Sequence, residues 1–316
     1  MECPPILFLI FNRPDLTRQV FARIRAAQPS QLYVAADGPR ANRPYETNLC
    51  AETRAILDLV DWPCEIHTLL RDENVGCRVA ISSGITWFFE HVEEGIILED
   101  DCVPDPTFFR YCAELLAHYR HDERIMMISG TNFDPRNHAN RASYYFSANL
   151  HIWGWATWRR AWQYYEGTLA GWPALRASSW LENWHHSANV ARHWTAQFDM
   201  MHDHPIDTWD IQWVYSVWLQ HGLAIQPYRN LISNIGFDAR ATHTSDEAAR
   251  EANLPTSPLS FPLVHPTGVV RNHATERYVA RWLFGIQPRW RSLLARRLRY
   301  LRPLYFRLFP PNPIAS

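Results

Sequence analysis

The sequence predicts an α/β protein: a mixed, mainly parallel sheet flanked by helices. Three observations predict it. The first strand-length run, Ile6-Leu7-Phe8-Leu9-Ile10-Phe11, is apolar throughout, as in a strand buried on both faces. Strand-like and helix-like stretches then alternate over the first hundred residues, the pattern of βαβ units. Polar motifs close three of those strands, and parallel sheets bind ligands beyond the carboxyl ends of their strands.

Each element has its own warrant. Asn12-Arg13-Pro14-Asp15 stops the first strand, and 16–27 reads as a helix with Leu16, Val20 and Ile24 on one face. Leu32-Tyr33-Val34-Ala35-Ala36 is a second strand, ended by Asp37-Gly38-Pro39. A helix is expected over about 46–60 and a short strand over 65–70. Asn74-Val75-Gly76-Cys77 leads into a helix reaching about residue 91, and Gly95-Ile96-Ile97-Leu98 runs straight into Glu99-Asp100-Asp101. A helix over 107–119 and a strand over 125–129 follow. Residues 144–218 are aromatic and less regular, and are expected to pack on the sheet and shape a pocket. From Thr244 onward Pro255, Pro258, Pro262 and Pro266 break regular structure. The expected division is therefore a main domain over 1–245, a loop-rich connection over 246–280, and an arginine-rich amphipathic segment over 281–316.

Composition narrows the function classes. Of 316 residues 47% are hydrophobic and 20% charged, enough for a sizeable core. The balance of 31 basic against 32 acidic residues gives no general attraction to nucleic acid. No apolar run reaches the roughly 18 residues of a membrane span. The start, Met1-Glu2-Cys3-Pro4-Pro5, lacks the basic segment and cleavage site of a signal peptide. Six sparse cysteines without paired metal spacing fit reduced thiols, so a cytoplasmic location is expected. Residues 281–316 carry eight arginines and no acid, interleaved with Trp290, Leu293, Leu298 and Tyr300. That composition suits an anionic membrane surface, as in a peripheral protein of the inner face of the cytoplasmic membrane. A helix docked on the acidic body, or an oligomer contact, is the other reading.

The common catalytic signatures are missing: no GxxxxGK[ST], GxGxxG or GxSxG occurs. His185, His186, His193, His202 and His204 form a cluster, but there is no HExxH, and their spacings do not set two zinc ligands on one helix face. The sharpest chemical feature is Glu99-Asp100-Asp101. Three consecutive acids at a strand end repel one another unless a cation or hydrogen-bond donors are present. Hard oxygens of this kind suit Mg²⁺ or Mn²⁺, which bind through one or two carboxylates plus substrate phosphates. A second acidic element is Asp207-Thr208-Trp209-Asp210, with Asp210 opening a helix; it reads either as a cap or as a base.

These motifs, taken in order, resemble a GT-A glycosyltransferase, closest to the inverting N-acetylglucosaminyltransferase I type and related bacterial sugar transferases. The resemblance runs over 6–244 and rests on Asn12-Arg13, Asp37, Glu99-Asp100-Asp101, Ile152-Trp153-Gly154-Trp155, Trp209-Asp210 and the stretch 230–244. It implies that Asp37 reads the uracil edge of a UDP-sugar, with Asn12 and Arg13 near the base or diphosphate and Arg78 as a further nucleotide contact. Asp101 would ligate the metal, Asp100 would approach the ribose and Glu99 the donor sugar. Trp153 and Gly154 would form a donor-side wall, Gly154 letting the backbone approach a sugar closely. Ser233 and Asn234 would belong to a loop closing over the diphosphate, with His243 on phosphate or metal. Asp210 would be the general base, Asp207 the second choice.

The resulting expectation is an inverting, metal-dependent transferase. It would move a sugar from a nucleotide-sugar to a hydroxyl of a glycan or lipid-linked acceptor, with Mn²⁺ or Mg²⁺ as cofactor. A retaining transferase of the same fold, a sugar nucleotidyltransferase and a non-catalytic glycan-binding or assembly protein are the alternatives.

Overall fold

A computed structural model describes residues 2–136, 142–237 and 249–286. The first half alternates as β1 (Ile6–Ile10), α1 (Pro14–Ala27), β2 (Gln31–Ala36), α2 (Glu46–Arg54), β3 (Glu65–Leu70), α3 (Cys77–His91) and β4 (Glu94–Glu99). Then come β5 (Cys102–Pro104), α4 (Thr107–His118), β6 (Ile125–Ser129), β7 (Tyr144–Ser147) and β8 (Trp155–Trp158). Five helices cover the aromatic stretch: α5 (Arg159–Trp162), α6 (Trp172–Arg176), α7 (Trp180–His185), α8 (Ala188–Asp203) and α9 (Asp210–Leu219). The described chain finishes with β9 (Leu223–Pro227), β10 (Ile232–Asn234) and α10 (His273–Trp282).

Eight strands form one sheet in the order β3-β2-β1-β4-β8-β6-β9-β7. β3, β2, β1 and β4 are parallel neighbours, as are β6 and β9, while β8 and β7 run against them. The mixed, mainly parallel sheet expected from the alternation is thus present. Its central strands, such as β1 and the Ile96-Ile97-Leu98 stretch of β4, read as unbroken apolar runs because helices cover both faces. Ile6, Phe8 and Ile10 of β1 face a core shared with α1 and α4, whereas Leu7 and Leu9 face the core of α3, α8 and α9. A second sheet pairs β10 with β5 in antiparallel register, Asn234 opposite Cys102.

Chain order reverses between β1 and β4: after β1 the chain builds β2 and β3 on one side, then returns to place β4 on the other. Such a reversal leaves a crevice at the carboxyl ends of the two strands. Asn12-Arg13 follow β1, and Glu99-Asp100-Asp101 close β4, so the reversal brings these motifs face to face.

Two stretches differ from the sequence expectation. The helix expected over 46–60 stops at Arg54 and tightens into a 3₁₀ turn, Ala55–Leu59. The connection read as loop-rich over 246–280 contains most of α10, whose Asn272 side chain caps the Thr275 amide at 3.1 Å. The buried Arg271–Glu276 ion pair ties this helix to β7, with Glu276 also receiving the Ala148 amide at 2.7 Å.

Candidate functional site

A cavity of about 490 Å³ opens at the carboxyl ends of β1, β2 and β4. It is lined by Asn12, Arg13, Asp37, Glu99, Asp100, Asp101, Trp153, Asp207, Asp210 and Asn234 among the residues singled out from sequence. Arg78, Gly154 and Ser233 do not line it. Gly154 has φ +58, and a Cβ there would lie 2.3 Å from Ile232 Cδ1, so its missing side chain makes room for β10. His243 and residues 287–316, which hold most of the arginine-rich segment, lie outside the described residues.

At the centre, Arg13 spans two carboxylates. Its Nη2 donates to Asp100 Oδ1 in a short contact and to Asp101 Oδ2 at 3.0 Å. Burial disfavours the guanidinium charge, but the two acids outweigh it and hold its pKa above the usual range. Burial also raises the Asp100 carboxyl, Arg13 countering in part. Glu99 makes no side-chain hydrogen bond or ion pair among the described residues. Burial first, then the charges of Asp101 and Asp100, push it up to about 8. A carboxyl in that state holds a proton near neutrality.

Asp101 is gripped from the far side. The Ile235 amide donates to its carbonyl at 2.9 Å, and a Cβ on Gly236 would fall 2.0 Å from Asp101 Oδ2. Its Oδ1 receives the Cys102 thiol at 3.3 Å. Among the described residues no three metal-binding side chains cluster. Hard carboxylate oxygens at a cavity wall are the donors that Mg²⁺ or Mn²⁺ takes, but here Arg13 holds Asp100 Oδ1 and Asp101 Oδ2, so an ion would have to share or displace that guanidinium. The donor set does not fit a closed all-protein site.

At the β2 end, Asp37 organises the loop before α3. Its carboxylate receives the Gly38 amide at 2.9 Å, the Val75 amide at 3.0 Å and Asn74 Nδ2 at 2.8 Å. Burial raises its pKa against these donors. Two arginines that the sequence reading passed over, Arg40 and Arg71, line the cavity here. Arg40 is committed to the fully buried Glu46. Arg71 donates through Nη2 to Ser83 at 2.8 Å, while its buried Nη1 finds no partner among the described residues. Position directly after β3 would have flagged Arg71; the Asn74-Val75-Gly76 motif drew attention to Arg78 instead.

The two acids offered as bases separate cleanly. Asp207 caps α3, receiving the Cys77 and Arg78 amides at 2.9 and 2.8 Å. Asp210 opens α9 and, among the described residues, receives only the neighbouring Thr208 hydroxyl, in a short contact. It lines the same cavity as Glu99, Asp100 and Asp101.

The remaining wall is largely apolar, although Glu251 also lines the cavity. Phe133 lies edge-on to Trp153 at 5.4 Å and to His151 at 4.6 Å, and stacks with Trp282 at 5.6 Å. Phe284, just past α10, meets Trp194 of α8 at 5.7 Å. Burial drives His151 down to about 3, so its ring is neutral.

No family model and no curated protein matches this chain. Among solved structures it is similar to HddC from Yersinia pseudotuberculosis, at 8% identity and TM-score 0.29, over 50% of this chain and 77% of that one. It is similar to S. aureus TarS 1-349 at 7% identity and TM-score 0.33, over 50% of this chain and 47% of that one. A third is the inositol-1-phosphate CTP transferase from T. maritima, at 9% identity and TM-score 0.32, over 52% and 75% of the two chains.

Proposed function

We propose that this protein is an inverting glycosyltransferase of the GT-A type, moving a sugar from a nucleotide-sugar, a UDP-sugar by the resemblance, to an acceptor hydroxyl. The observation that carries the reading is the convergence of Arg13, Glu99, Asp100, Asp101 and Asp210 in one cavity at the sheet's reversal point. Arg13 is shared by Asp100 and Asp101, and Glu99, Asp207 and Asp210 line the same cavity, so the charge balance favours a ligand that arrives with a divalent ion.

Asp37 and the 74–76 loop it holds would take the base, and the positive charge of Arg71 on the cavity wall would draw the nucleotide's phosphates. Asp101 would hold Mn²⁺ or Mg²⁺ beside Arg13; a bound ion supplies charge stabilisation on the departing diphosphate. Arg13 adds to that stabilisation from a preorganised position. Asp210 takes the proton from the acceptor hydroxyl as its oxygen attacks the anomeric carbon and the carbon–diphosphate bond breaks. Asp207 has no such role, because both of its oxygens hold the α3 amides.

The test is calorimetry of UDP with and without Mn²⁺ on the wild type and on Asp101→Asn. Metal-dependent binding lost in the variant is expected. Absence of any metal-dependent nucleotide binding in the wild type would remove the transferase reading. Product anomeric configuration by NMR separates inversion from retention.

A further inference from the structure

Resting on that reading, we propose that the acceptor carries an apolar aglycone, an alkyl or aryl group, and that the aromatic half of the cavity is its subsite. The cavity changes character along its length. The strand-end half is built from carboxylates and arginines, whereas the rest is dominated by Phe133, Leu150, Ile152, Trp153, Trp194 and Phe284, with His151 and Glu251 the polar residues also in the lining. The apolar residues come from four separate segments held in register by ring contacts: Trp282 against Phe133, and the adjacent Phe284 against Trp194.

Asp210 sits where the halves meet. It shares the cavity wall with Glu99, while the following residues of its helix, Ile211 and Val214, line the cavity and pack into the apolar cluster that includes Trp194. A hydroxyl deprotonated at Asp210 therefore belongs to a molecule whose body extends away from the acids.

A bare saccharide does not match that half. Each ring would bring several hydroxyls needing partners, and burying one unpartnered is unfavourable. Of the polar groups on this wall, His151 Nε2 and Trp194 Nε1 are both sealed from the cavity surface and without hydrogen-bond partners among the described residues, which leaves Glu251 alone to meet a sugar's several hydroxyls. An apolar group, in contrast, gains from every contact with this wall.

The experiment uses the whole chain with UDP and Mn²⁺ present. Binding of n-octyl and methyl β-glycosides of glucose, galactose and N-acetylglucosamine is read by tryptophan fluorescence below the micelle concentration. We expect octyl glycosides to bind at least tenfold more tightly than their methyl counterparts. Phe284→Ser and Leu283→Asn should each cut the octyl affinity about fivefold and leave the methyl affinity unchanged. An octyl glycoside bearing a terminal diazirine, photolysed on the wild type, should label 150–154, Trp194 or 283–284. Equal octyl and methyl affinities, or labelling confined to other peptides, overturns the subsite. UDP affinity measured on the same sample keeps the two ideas apart. Octyl preference without nucleotide binding would leave the subsite standing and sink the transferase.

Discussion

Asp207 accepts the backbone amide of Cys77 at 2.9 Å, across 130 positions of sequence. The carboxylate thus sits on the amino end of α3, where exposed N–H groups and the helix dipole favour an anion. Gly76 belongs to the same fitting: its φ is +83, and a Cβ would approach Asp207 Oδ2 to 2.8 Å. We expect Asp207→Ala to cost about 1–2 kcal/mol of stability, the usual loss on removing a cap, and to leave turnover within about tenfold. Asp210→Asn should do the reverse. Its melting temperature should hold while kcat falls on the order of 10²–10⁴-fold, the range for a lost general base. Urea unfolding and initial-rate kinetics on both variants decide the matter; a large kcat loss in Asp207→Ala with intact folding would reassign the base.

Arg71 lines the cavity with no ion-pair partner among the described residues, while Arg13 and Arg40 are already bound to carboxylates. Arg71→Gln is expected to weaken UDP binding about tenfold, roughly 1.4 kcal/mol. Arg78→Gln should have little effect, since that residue engages Asp207 through its backbone and its side chain is off the cavity wall. Calorimetry of UDP binding compares the two, and equal losses would contradict the distinction.

Gly236→Ala tests the clasp on Asp101. The added Cβ would meet Asp101 Oδ2 at 2.0 Å, Cγ at 2.7 Å and Cβ at 2.8 Å, so the carboxylate must turn and the backbone beside it must give. The chain should fold with a lowered melting temperature. Metal-dependent UDP binding should drop at least tenfold, because the displaced carboxylate is the proposed ion ligand. Retained Mn²⁺ dependence would show that Asp101 is not that ligand.

The Arg271–Glu276 pair makes stability depend on pH. Burial opposes ionisation of Glu276, but Arg271's hydrogen bonds and charge, the Ala148 amide and His273 outweigh it and hold its pKa below the usual value. The folded state then binds fewer protons than the unfolded one. Stability from this group is complete above the unfolded pKa of about 4.3 and is lost as pH falls through the lower folded value. Removing one partner of a buried pair costs about 3–5 kcal/mol. Glu276→Ala should lose on this scale at pH 7, and Glu276→Gln should flatten the acid limb of a urea-unfolding series. An unchanged acid limb in Glu276→Gln would place the pH dependence elsewhere.

Much of the fold was legible because its central strands are buried on both faces, so short apolar runs such as 6–10 and 125–129 coincide with β1 and β6. The acidic trio could be placed at the β4 end for the same reason. What could not be read was long-range. Neither Arg13 bridging Asp100 and Asp101 nor Asp207 on Cys77 has a local signature, since each depends on which strand ends lie side by side. β8, inserted against its neighbours, was read only as part of an aromatic stretch, because four residues with two tryptophans suit a core helix equally well. Phe284 sits in a stretch whose mixed aromatic and basic composition reads as a surface segment; only the return of α10 to the sheet edge brings it to the cavity.

The β10–β5 pairing makes the position of one acid a property of a distant piece of chain. Asn234 lies opposite Cys102, the Ile235 amide holds the Asp101 carbonyl, and Gly236 abuts its carboxylate. An insertion or deletion of a single residue within 232–236 would shift this clasp by one step and turn the carboxylate out of register. A chain so altered could keep all three acids in its sequence and still be inert, so surveying the trio alone would overcount working copies of this architecture.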